Sequence, residues 1–109
     1  MNMTDLNTLL QATSGPSGKL DQAVAKALSV PHRDYSSSVD ACLALIIEKL
    51  PTAHWHVGRA EDGVSVYATL TEGDHQAECT NVTVPLALLA AVVGFLNGKS
   101  GGNGVAEGT

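Results

Sequence analysis

The residues best suited to chemistry lie in the run His54-Trp55-His56-Val57-Gly58-Arg59. Side chains alternate faces along an extended chain, so His54 and His56 point the same way. A His-x-His pair can set two imidazoles beside a metal. Glu78 or His75, further along, would have to add ligands. Two histidines fall short of a four-ligand pattern, and the simpler reading is a hydrated polar sheet face. No metal is assigned and no cofactor is expected; His54 and His56 remain the candidates.

Arg59 and Tyr67 suit an anionic ligand. Arginine matches phosphate with two parallel N–H donors, and tyrosine stacks on a base while donating a hydrogen bond. Arg33 and Tyr35 precede a helix start, where free backbone N–H groups also favour an anion. The competing reading pairs Arg59 with Glu61 or Asp62 and packs Tyr35 as a lid. Ser36-Ser37-Ser38 followed by Asp40 invites a nucleophile, but a serine triad needs a histidine beside the serine, and His32 is near only in sequence. Ser38 reads better as a helix cap, Trp55 as a core residue, and no catalytic residue is assigned.

The elements that must position these residues follow from periodicity. Thr4 can cap a short helix with Leu6, Leu9 and Leu10 on one side. Ser17 can cap a second helix to about Ser29, with Leu20, Val24, Ala27 and Leu28 inward and Asp21, Gln22 and Lys26 outward. Ser38 starts a third helix. Val39, Cys42, Leu43, Ile46, Ile47 and Leu50 form its stripe and Pro51 ends it. Three alternating runs follow: Ala53 to Gly58, Val64 to Leu70 and Gln76 to Thr80. Glu61-Asp62-Gly63 and Glu72-Gly73-Asp74 link them as antiparallel hairpins.

The last helix starts near Thr83, tolerates Pro85 in its first turn and closes at Asn97-Gly98. Its centre carries no polar residue, so it must be covered on all sides. The cover is either the sheet and other helices, or in part a second subunit, with Leu86, Leu89, Val93 and Phe95 as the candidate contact. The fold class is α+β: a three-stranded antiparallel meander packed with helices in the order α-α-α-β-β-β-α, sandwich-like.

The chain has 109 residues and a formal charge of −5 with only six basic residues, which suits one domain and argues against a nucleic-acid partner. Residues 1–99 are expected to form that domain and residues 100–109, rich in glycine, a disordered tail. Cys42 and Cys79 fall at apolar positions and read as free, buried thiols. The longest apolar run, Val84 to Leu96, is too short for a membrane span of about 20 residues. The first residues lack a basic segment leading into an apolar one, so no secretory signal is expected and a cytoplasmic protein is the default.

Thr13-Ser14-Gly15-Pro16-Ser17 before Leu20-Asp21, Tyr35-Ser36-Ser37-Ser38-Val39-Asp40-Ala41, Trp55-x-Val57-Gly58-Arg59 and Val84-Pro85-Leu86-Ala87-Leu88 occur in that order. In these the chain resembles the phage ABA sandwich domain family over residues 4–98. Family members commonly carry a threonine where Val84 stands here. The resemblance implies a sheet with helices around it, a bacteriophage gene and a host-cytoplasm location, and it carries no catalytic residue across.

Three functions are therefore expected in order. The first is a small phage counter-defence protein that binds and sequesters a nucleotide-derived immune signal, such as a cyclic nucleotide or a cyclic ADP-ribose isomer, as a homo-oligomer. Arg33, Tyr35, Arg59 and Tyr67 are its candidate ligand-binding residues. The second is a protein–protein adaptor or inhibitor of a host factor. The third is a metal-dependent nucleotide hydrolase on the His54/His56 face.

Overall fold

A computed structural model describes residues 3–100. Four helices and three strands follow the expected order: α1 (Met3–Gln11), α2 (Gly18–Leu28), α3 (Val39–Lys49), β1 (His54–Arg59), β2 (Val66–Glu72), β3 (His75–Asn81) and α4 (Val84–Ser100). The residues from 101 onward, where the glycine-rich tail is expected, lie outside the described residues.

The sheet is an antiparallel meander in the order β1-β2-β3. Val57 lies opposite Ala68, which lies opposite Cys79; Gly58 lies opposite Tyr67 and then Thr80. Trp55, Val57 and Arg59 therefore share one face with Val66, Ala68, Leu70, Ala77 and Cys79. His54 and His56 share the other with Tyr67, Thr69, Thr71, Gln76, Glu78 and Thr80. Glu72 and His75 flank a two-residue loop in which Gly73 has a φ of 61° and Asp74 does not turn positive, the pattern of a type II′ hairpin.

α4 is the middle of the stack. It packs on β2 and β3 with one side and receives α1 and α3 on the other, while α2 lies on α1. Every residue from Leu86 to Val93, and Phe95, is fully buried within the single chain. This settles the cover of the apolar helix. Leu86, Leu89, Val93 and Phe95, expected at a subunit contact, are interior residues with no surface to offer a partner. Among the described residues the helices lie on one sheet face, and Gln76, Glu78 and Thr80 on the other are exposed.

Several local expectations need correction. α1 already includes Thr4, whose carbonyl accepts from the Thr8 hydroxyl, so Thr4 is inside the helix and not its cap. In α3 the buried residues are Cys42, Leu45 and Ile46; Ile47 is 70% exposed and Val39 lies at the surface. Its sequence is apolar on nearly all sides, so periodicity alone could not choose the inward stripe. β2 begins at Val66, leaving Val64 in the loop at 81% exposure. α4 continues past Asn97-Gly98 to Ser100, since glycine weakens a helix by about 1 kcal/mol without ending it.

Asp21, expected to face solvent, is 5% exposed. Its Oδ1 accepts the Ser36 N–H at 2.6 Å. The Ser36 hydroxyl accepts from the Ser17 N–H at 2.7 Å and donates to the Ser17 carbonyl at 3.1 Å. This knot ties the start of α2 to the loop before α3. Ser17 and Ser38 cap α2 and α3 as expected, accepting from Leu20 N and Ala41 N.

Candidate functional site

The four candidate ligand residues do not converge. Tyr35 is buried at 1% exposure, and its hydroxyl donates to the Pro31 carbonyl at 2.6 Å. Burial pushes its phenol up, against the neighbouring Arg33 charge, which lowers it. Tyr35 therefore closes the loop over α3 and offers no hydroxyl to a ligand. Tyr67 and Arg59 point to opposite sheet faces, because Arg59 is registered with Val66 and Tyr67 with Gly58.

Two hollows hold the arginines. The first, about 490 Å³ and wide open, lies at the start of α3 between Arg33, His32, Asp34, Ser38 and Asp40. Two carboxylates stand there against one guanidinium, and Ser38 already serves the Ala41 N–H. That charge balance does not suit an anion. The second, about 270 Å³, lies under the β1–β2 hairpin on the helix side. Arg59 stands among Val57, Val64, Val66 and Val84, with Ser65 at the loop. Val84 opens α4, whose Thr83 cap accepts from Leu86 N at 3.3 Å. The positive end of the helix dipole thus lies on the same side as Arg59.

Asp62 does not take Arg59 as its counter-ion in the turn. Its Oδ1 accepts from Val64 N and Ser65 N, both at 2.8 Å, and its Oδ2 from the Ser65 hydroxyl at 2.7 Å. These bonds, those from the Ser65 and Val64 backbone first, hold the Asp62 carboxyl below the usual carboxylate range.

Trp55 corrects the core reading. It points to the helix face, yet it is 46% exposed. The reason is tertiary: α4 runs under β2 and β3, so β1 overhangs the helix layer. Trp55 and Arg59 are four residues apart on that overhang, about 13 Å at a strand rise of 3.3 Å.

The histidines of β1 lie on the open face. His56 stacks on Tyr67 with ring centroids 5.9 Å apart and an interplanar angle of 17°. His75 cannot join them, because it lies on the helix face with Nε2 3.1 Å from the Phe95 carbonyl and its ring edge-on to Phe95. Glu78 sits two strands from His56. Among the described residues no group of three or more His, Cys, Asp or Glu side chains gathers as a metal site.

Both cysteines are free. Cys42 lies 3.1 Å from the Tyr35 carbonyl, and burial, then the Asp21 charge, pushes its thiol up to about 12. Cys79 lies 3.4 Å from the Ala90 carbonyl and is raised by burial and by Glu78. Neither has the lowered pKa of a reactive thiol.

Sequence reasoning missed the valine walls of the Arg59 hollow. Val64 reads as a strand residue, and Val84 is distant in the chain. Among the described residues no helix is long and apolar enough to cross a membrane. Compared with known proteins, the chain matches no family model, no curated protein and no solved structure.

Proposed function

We propose that this chain is a small binding protein that holds an anionic, nucleotide-type molecule at the Arg59 hollow. In the setting the phage ABA resemblance implies, it would sequester a nucleotide-derived immune signal in the host cytoplasm. The observation that carries the reading is the hollow itself. Arg59, itself exposed, lines an open hollow with Val57, Val64, Val66 and Val84, the Asp62 carboxylate of the turn is bonded to Val64 and Ser65, and Trp55 stands farther along the same strand face. Such a mix of apolar wall and one charged anchor is the usual composition of a small-molecule site. The indole offers a stacking surface and the guanidinium a phosphate clamp.

Isothermal titration against cyclic dinucleotides and cyclic ADP-ribose isomers tests this. Saturable heat is expected from at least one compound. Arg59→Ala removes a charge-assisted hydrogen bond of about 1.5–3 kcal/mol, weakening binding roughly 10- to 100-fold. Arg33→Ala leaves binding unchanged. Absence of heat across the panel, or equal binding by Arg59→Ala, refutes the reading. The adaptor alternative draws on the acidic surface alone, and the hydrolase alternative loses the third ligand that His75 was to supply.

A further inference from the structure

The two edges of the sheet differ. Ala60 N donates to Ser65 O, directly across the β1–β2 register. In an antiparallel ladder the bonded pairs recur at every second residue. His54, His56 and Gly58 therefore bond toward β2, while the backbone N–H and C=O groups of Trp55, Val57 and Arg59 point away from the sheet. By the same alternation, Gln76, Glu78 and Thr80 present the outward groups of β3.

We infer that the free edge of β1 is the contact surface for a second copy of this chain, joined by antiparallel β1–β1 pairing with Val57 on the two-fold axis. In that register all three outward residues find partners. Val57 faces the partner's Val57, and Trp55 faces the partner's Arg59. Each pair exchanges both backbone hydrogen bonds, and the two sheets become one of six strands.

Three observations select this partner and this edge. First, β1 carries no proline, lysine or carboxylate to discourage pairing, the usual protection of an exposed edge. Edge β3 is protected: a symmetric pairing there would set Glu78 directly against the partner's Glu78, which is destabilising. Second, Trp55, 46% exposed, lies on the overhang that α4 leaves uncovered, so its indole is free to cover a neighbour. Third, the order Trp-x-Val-x-Arg is self-complementary under a two-fold axis. It sets a guanidinium over an indole twice, a cation–π contact, and keeps the two arginines apart. Sliding either strand by two residues leaves an outward residue unmatched and takes Arg59 off the indole. A guanidinium stacked by its face keeps its N–H edge for an anion, so this contact leaves the Arg59 anchor of the ligand reading in place while the indole serves the partner's guanidinium, and the pairing does not depend on that reading.

Sedimentation of the ligand-free chain over a concentration series, with cysteine trapping, tests the pairing. A concentration-dependent dimer is expected. Oxidised Val57→Cys should give a disulfide-linked dimer. Trp55→Cys and Arg59→Cys should not cross-link alone, but a mixture of the two chains should. Trp55→Arg should weaken the dimer at least tenfold by opposing two guanidiniums, and adding Arg59→Glu to it should restore the dimer. That rescue also shows that the single variant is folded. A monomer at all concentrations, Trp55→Cys cross-linking as readily as Val57→Cys, or no rescue by the second substitution overturns the proposal. Because no ligand is present, these results stand apart from the Arg59 titration.

Discussion

A methyl group at Gly58 tests how β1 and β2 are held on the open face. A Cβ built there would lie 2.6 Å from Tyr67 Cε1 and 2.7 Å from its hydroxyl oxygen, well inside van der Waals contact. The obstacle is the far end of a side chain and not backbone, so the ring swings away and the strand stays. The swing removes the cover over β1 and the stack on His56, together about 0.5–1.5 kcal/mol by the usual value of aromatic pairs. Against this, alanine costs the unfolded chain less entropy than glycine and returns about 0.5–1 kcal/mol. Gly58→Ala should therefore change stability by less than about 1 kcal/mol in the parent chain. In a Tyr67→Ala background it should stabilise by about 0.5–1 kcal/mol, because nothing then occupies the space. The coupling energy of the double-mutant cycle should be about 1 kcal/mol. Urea denaturation of the four chains, with the slope of the transition checked for constancy, measures it. The same change for Gly58→Ala in both backgrounds refutes the close approach.

Other outcomes follow from single contacts. Ser29 ends α2 at φ 56°, ψ 49°, a left-handed conformation that costs an ordinary residue about 1–2 kcal/mol, so Ser29→Gly should stabilise by about 1 kcal/mol in thermal unfolding. Ser36→Ala leaves the Ser17 N–H without its acceptor and should cost about 1–3 kcal/mol in urea, while ligand titration by the folded fraction stays unchanged. The Cys42 thiol keeps its proton in the folded state up to about 12, against an ordinary value of 9.0 when unfolded. The unfolded chain therefore releases that proton first. Stability should be full below the ordinary value and fall as pH rises toward the folded value, by up to about 1.4 kcal/mol per pH unit. Cys42→Ala should flatten that slope in alkaline denaturation, and an equal slope in both chains would refute the assignment.

Much of the local structure is legible from neighbours in the chain. Ser17 and Ser38 act where a hydroxyl precedes an apolar period, because a cap involves residues only two or three apart. Gly73 marks its hairpin because few other residues accept its φ. The candidate site is less legible. Tyr35 and Arg33 are two residues apart in the chain, yet one is interior and the other stands at an open hollow. Asp21 resembles any solvent-facing helix carboxylate until Ser36, fifteen residues on, supplies its donor.

The sequence by itself determined the element order, the caps, the meander and the need to bury the last helix on every side. Those are consequences of period, turn chemistry and polarity over short spans. Only the tertiary structure decided where that helix lies. Its position under β2 and β3 makes Leu86, Leu89, Val93 and Phe95 interior, leaves β1 overhanging, and turns Trp55 from an expected core residue into an exposed one on the same strand face as Arg59. Alternation tells which face of a strand is apolar. It does not tell which strand a single helix is wide enough to cover, because that depends on packing distances between elements far apart in the chain.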